Sequence, residues 1–476
     1  MNRKVDNPDN LYTQSVKALI DKVHPQEPGY GSVLEDARHF FALAEESAKY
    51  IKDVENQFSR VKAKSPDKPI PADLQKKLKH ARAKRDSERQ ERIARITDIA
   101  RDLLELCEGE SYEDTQLLSA KFLGTVMLLT RGAVPNFARF HQRLKPLYKA
   151  VLTLRLVDSV LKQEAISHPY LSAYRESSNR FRGNSYWRNK WEEELAIPLI
   201  SAALLQDIGL QHQDAQKILL GEEKDKDEFR LLEEQDRKQL LRLNYSHTLY
   251  YLKKGLGLPA YVGNDKEERH RFNQAHEAAN QFREKLVQDA FLSKTGLGEI
   301  LKIPQIYCSV VLSTKSDYTR QELPKGYLLI EQLGKKNSLN PKLADAFTQI
   351  VGYFPQGFGV TFIPVNEQGF EKDQFEFAIV SRLNPENPAE PVCRIASRNL
   401  TYICSGNTEV ISRGRNLYFP ANRKKLLKIG RERIQQIIRQ LNPNADPNAV
   451  DDLVPAFWEP SDYFTNKKNQ NMWNKT

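Results

Sequence analysis

With 476 residues, 40% hydrophobic and 28% charged, the chain has the length for two or three ordinary domains and the apolar content for a real core. Its formal net charge of +10 permits contact with nucleotides, nucleic acid or acidic lipid and requires none of them. Four cysteines, Cys107, Cys308, Cys393 and Cys404, form no C-x-x-C pair and join no histidine cluster in the sequence, which argues against a structural zinc site and fits a reducing, cytoplasmic compartment.

In chain order, Met1 to Tyr12 is polar and lacks an apolar h-region, so no secretory signal is expected, and no run of about 18 apolar residues follows anywhere to span a membrane. Residues 1–150 read as a helical region. Val33–Val54 sets Leu34, Ala37, Phe41, Ala44, Ala48 and Ile51 at helical spacing, and Pro66, Pro69 and Pro71 then break the pattern. A long charged helix is expected over about 73–106. Its first half, Lys76 to Arg95, is basic, but Asp86, Glu88 and Glu91 are interleaved, the pattern of a solvated helix or coiled-coil flank. Nucleic acid is therefore not an expected partner, whereas pairing of two chains through these helices is. Ile93, Ile96, Ile99, Leu103 and Leu106 give its second half one apolar face, and Gly109 marks its stop.

Helices continue through Leu117–Leu129 and Leu144–Gln163, and His168–Trp191 reads as an ordered loop rich in aromatics and arginine. Arg180 and Arg182 in that loop are candidate nucleotide contacts. Residues 151–352 form the main helical domain. After Gly352, Gly359–Pro364, Phe375–Arg382, Val392–Ile395 and Leu400–Cys404 read as short strands of a small β-rich module, 353–441, closed by a helix over Arg423–Leu441. Residues 442–476 read as an irregular tail. The fold class expected is mainly α, with an N-terminal helical region and a small C-terminal β-rich module. No phosphate-binding G-x-x-x-x-G-K-[ST] loop and no G-x-S-x-G elbow occurs.

Three stretches carry a family resemblance. Leu199 to Gly209 ends in Gln206-Asp-Ile-Gly209 after an apolar run, and resembles the helix that ends in H-D-I-G in HD-domain phosphohydrolases. Thr295-Gly-Leu-Gly-Glu299, continuing to Tyr318, is similar to the G-L-x-G-E turn and A-L-T-S segment of the HD-GYP family. Asn340 to Phe362, with Gly352-Tyr-Phe-Pro-Gln-Gly357, is similar to that family's closing helix and strand entry. Together they cover about residues 165–405, and they imply an HD-type helical bundle from bacterial cyclic di-GMP signalling.

The resemblance also implies a metal-dependent phosphodiesterase, in which iron or manganese held by His, Asp and Glu activates a water. The ligand positions are mostly replaced here. Gln206 stands for the first histidine, Asp207 is kept, Asn244 falls where the next histidine would be, and Tyr307 falls at the final aspartate. The expectation is a catalytically inactive HD-GYP-like signalling protein that binds a nucleotide, cyclic di-GMP above all, or another signalling protein. The alternatives are a remodelled iron or manganese site using Asp207, His247, His270 and His276, and a helical scaffold that dimerises.

Overall fold

The computed structural model describes residues 8–27, 29, 31–64, 70–130, 137–399, 401–404, 406–426 and 454–474. The proline break at 65–69 and most of the expected closing helix, from 427 on, lie outside the described residues. The architecture is mainly α, with small antiparallel sheets near the C-terminus. Among the described residues no helix is long and apolar enough to cross a membrane.

The helices are α1 (Leu11–Val23), α2 (Val33–Lys64), α3 (Ala72–Cys107), α4 (Tyr112–Leu129), α5 (Phe137–Gln163), α6 (Pro169–Ser172), α7 (Ser185–Trp191), α8 (Ile197–Leu205), α9 (Gln213–Leu220), α10 (Glu234–Tyr250), α11 (Lys266–Phe291), α12 (Glu299–Val311), α13 (Lys325–Lys335), α14 (Pro341–Val351), α15 (Pro420–Leu426) and α16 (Ser461–Phe464). The packing divides the chain into two compact units that cut across the contiguous blocks read from the sequence. One comprises residues 1–19, 103–188 and 299–476, and the other residues 20–102 and 189–298. Hydrophobic spacing reports which face of a helix is buried, not which neighbour buries it, so a discontinuous unit leaves no mark in a linear pattern.

In the first unit α5 is the axis. It is buried on nearly every side from Leu144 to Leu161, as expected of a helix without a solvent face, and α4, α12 and α14 pack on it. Ser111 caps α4, its hydroxyl accepting from the Asp114 N–H at 3.1 Å. Glu299 and Asn340, one from each of two stretches that carry the resemblance, meet here: the Asn340 N–H donates to the Glu299 carboxylate at 2.6 Å.

Strands β1 (Gly359–Phe362), β2 (Glu376–Val380), β3 (Val392–Ile395) and β6 (Thr408–Val410) form an antiparallel sheet in the order β1-β2-β3-β6, while β4 (Ser397–Arg398) and β5 (Thr401–Tyr402) make a hairpin. β1, β2, β3 and β5 fall within the β-branched and aromatic runs of the sequence, while β4 and β6 lie outside them. Behind the sheet lies a core to which Val454, Trp458, Tyr463, Phe464, Met472 and Trp473 contribute. The C-terminal stretch read as an irregular tail is thus an integral part of this core in its described portion. Its aromatics supply the burial. Trp473 rests on Gly124 of α4, where a Cβ would stand 2.1 Å from the indole.

The stretch His168–Trp191 consists of α6, a 3-10 segment Arg175–Arg182 and α7. Arg180 is 3% exposed and pairs with Glu108 (2.9 Å) and Asp158 (2.9 Å), while Arg155 pairs with the same two carboxylates at 2.8 and 3.3 Å. Two cations facing two anions keep the cluster neutral. Burial disfavours the Arg155 charge, but Glu108 and Asp158 overcome it and hold the guanidinium protonated. Arg180, read from the sequence as a nucleotide contact, is a buried ion-network residue instead, because its guanidinium is committed to these acids. Arg182 is exposed.

Candidate functional site

The second unit contains the Gln-Asp-Ile-Gly stretch. Helix α8 is buried at every position and ends at Gln206. Asp207 leaves the helical path and precedes a single 3-10 turn, Ile208–Gln211. His212 then returns to an extended backbone and caps α9, its Nδ1 accepting from the Asp214 N–H at 3.1 Å. Acidic Glu234 and Asp236 open α10, whose inner face carries buried Asn244 and Thr248.

These elements join through a directional chain of hydrogen bonds. The Gly209 N–H donates to Thr248 Oγ1 at 2.9 Å, the Thr248 hydroxyl donates to Asn244 Oδ1 at 3.2 Å, and Asn244 Nδ2 donates to Asp207 Oδ1 at 3.0 Å. Each bond polarises the next. Gly209 permits the approach: a Cβ there would stand 2.3 Å from the Asn244 carbonyl oxygen. Asp207 and Asn244, distant in the chain, are thus in direct contact. Tyr307, the remaining replaced position, belongs to the first unit, fully buried in edge contact with Phe347. Its phenol is pushed above its ordinary range by burial, then by Cys308.

A cluster of iron or manganese ions does not fit Gln206, Asp207 and Asn244. They offer one carboxylate, and that carboxylate already accepts from an amide; the other two are neutral amides, weak ligands beside imidazole.

The four residues named from the sequence for a remodelled metal site do not gather. His270 is exposed on α11. His276 sits a turn and a half further on, its ring centroid 4.1 Å from that of Phe272, and its pKa is lowered by burial, with Glu193 and Glu194 opposing. Asp207 is engaged by Asn244. His247 instead lies face to face with His212, ring centroids 3.4 Å apart and planes 6° from parallel. Among the described residues, His212, Asp214 and His247 are the group of three whose ligand atoms all lie within 4.8 Å of one another. Sequence reading missed His212 and Asp214 because nothing in their spacing to His247, across a loop and part of a helix, marks them as neighbours.

Phe41 of α2 packs edge-on against both imidazoles, at 5.3 Å from His212 and 5.9 Å from His247. Burial lowers the pKa of both rings. His212 adds a further lowering at His247, while Asp214 and Glu45 raise both. Neutral imidazole is the ligand form.

A groove of about 280 Å³ opens in the same unit; its lining mixes Lys52, Arg85, Arg89 and Lys254 with the acidic Glu55 and Glu88, beside the Tyr250 ring. Arg89 donates to the Leu256 carbonyl and Arg92 to the Gly255 carbonyl at 2.7 Å, closing the C-terminal end of the α10 path. The Arg89 pKa is lowered by burial and then by Arg85, with Asp86 opposing and Arg92 adding to the lowering. Among the described residues Lys52 and Lys254 form no ion pair. No family model, no curated protein and no solved structure matches the chain.

Proposed function

We propose that this protein is a non-catalytic, HD-GYP-like binding module whose ligand is a phosphate-bearing nucleotide, cyclic di-GMP being the first to try. The observation that carries the reading is the Asp207–Asn244–Thr248 chain. In the phosphohydrolases that the sequence resembles, the corresponding aspartate serves metal ions; here it is bound by an amide from α10 and has a glutamine beside it. An Asp-Ile-Gly string kept beside replaced ligand positions supports a binding role over a catalytic one, because the residues there cannot hold the metal ions. The groove supports an anionic ligand with an aromatic face. Lys52 and Lys254 supply charge, neither of them in an ion pair among the described residues, and Tyr250 supplies a half-open ring.

The test is calorimetric titration of the whole protein with cyclic di-GMP, with and without manganese, beside a hydrolysis assay. The expected result is saturable binding, no metal-dependent turnover, and at least tenfold weaker binding in the charge-reversed pair Lys52→Glu, Lys254→Glu. Manganese- or iron-dependent hydrolysis overturns the non-catalytic reading. Absence of binding to any di- or mononucleotide overturns the ligand class.

A further inference from the structure

We infer that His212, His247 and Asp214 form a binding site for a single divalent transition-metal ion of the zinc or cobalt class, separate from the Asp207 network. This goes beyond the proposed function and does not rest on it.

Three features carry the inference. The first is convergence. Ligand atoms of the three side chains lie within 4.8 Å of one another, and an ion with bonds of about 2.0–2.2 Å spans ligand atoms roughly 3–4 Å apart. The second is an unmet bond: His247 Nε2 is buried and has no hydrogen-bond partner among the described residues. A buried imidazole nitrogen without a partner costs free energy that a metal bond removes. The third is the wall. Phe41 is set edge-on to both rings and restricts how they turn.

Two imidazoles and a carboxylate suit zinc or cobalt better than magnesium or calcium, which prefer oxygen alone. Glu45 lies one helical turn beyond Phe41 on α2, and its charge acts on both imidazoles, so the site's field favours a cation. The two ring planes are only 6° apart. Loading requires the rings to splay until both lone pairs point at one ion. His212 Nδ1 holds the Asp214 N–H, which leaves its Nε2 as the ligand atom.

The test uses the full chain, stripped with chelator and titrated with cobalt(II), read by its visible d–d absorption and by calorimetry. One ion per chain is expected, with the band of a four- or five-coordinate nitrogen–oxygen site. His247→Ala and His212→Ala should each weaken binding at least tenfold. Asp214→Asn, at an exposed position where folding is not at stake, should weaken it at least threefold. His270→Ala and Asp207→Asn should leave it unchanged. A wild-type chain with no such band, or wild-type affinity in both Asp214→Asn and His247→Ala, overturns the site. Loss on Asp207→Asn with retention in His247→Ala moves the ion to the Gln206–Asp207 pair and overturns it too. Nucleotide binding is read separately, so failure here leaves the proposed function standing.

Discussion

Asn244 reaches across from α10 to hold the carboxylate of Asp207, 37 residues earlier in the chain, at 3.0 Å. That bond fixes the end of α8 against α10 and takes up the carboxylate on which metal chemistry would depend. Removing either partner takes this hydrogen bond from the other, Asn244 being buried and Asp207 part-buried. Asp207→Ala and Asn244→Ala should each cost about 1–3 kcal/mol, and the double variant should cost less than their sum. Urea unfolding followed by circular dichroism measures all three. Strict additivity would mean that the bond carries no coupling.

Gly209 tests the same junction from the backbone side. A methyl group there meets the Asn244 carbonyl oxygen at 2.3 Å and the Thr248 nitrogen at 2.7 Å, both main-chain atoms that cannot rotate away. Gly209→Ala should cost more than about 2 kcal/mol. Gly414→Ala, where a Cβ meets open space, should change stability by less than about 0.5 kcal/mol. Thermal denaturation of the two variants side by side gives the comparison.

The buried ion cluster of the first unit makes a different demand. Arg180→Ala leaves Glu108 and Asp158 with Arg155 alone, and should destabilise by about 3–5 kcal/mol. Arg182→Ala, on the exposed neighbour, should be within about 0.5 kcal/mol of the parent. An Arg180 variant of normal stability but weakened nucleotide binding would restore the ligand role that the sequence suggested.

His141 gives the first unit an acid limb. Its Nδ1–H donates to the Ser313 carbonyl at 2.6 Å, and its ring lies edge-on to Tyr318 at 4.7 Å. Burial pushes its pKa down from 6.5 to about 4, with the Ser313 bond opposing and Arg320 and Lys145 adding to the shift. Above pH 6.5 both folded and unfolded forms are neutral there and its stability contribution is intact. Below that the unfolded chain takes up the proton and the folded one does not. Stability should therefore fall by about 1.4 kcal/mol per pH unit until the folded form protonates. His141→Gln should flatten the pH dependence of the urea midpoint between pH 6.5 and 4.

The C-terminal aromatics bear on how the first unit ends. Trp473→Ala removes the indole that rests on Gly124 and should cost about 3–5 kcal/mol by circular dichroism in urea. A loss below about 1 kcal/mol would mean that the stretch after residue 454 is not part of the core.

Local physics alone determined much of this protein. Period-3.6 apolar spacing placed α2, α3 and the helices after them, and β-branched and aromatic runs between Asn, Pro and Gly placed β1, β2 and β3, because each signal lies within a dozen residues. What only the tertiary structure decided depends on residues distant in the chain. The stacking of His212 on His247, the locking of Arg180 between Glu108 and Asp158, and the return of Trp473 to Gly124 are set by how helices cross, and the spacing of apolar residues does not encode that. A histidine reads the same in sequence whether it faces solvent, as His270 does, or another imidazole, as His247 does.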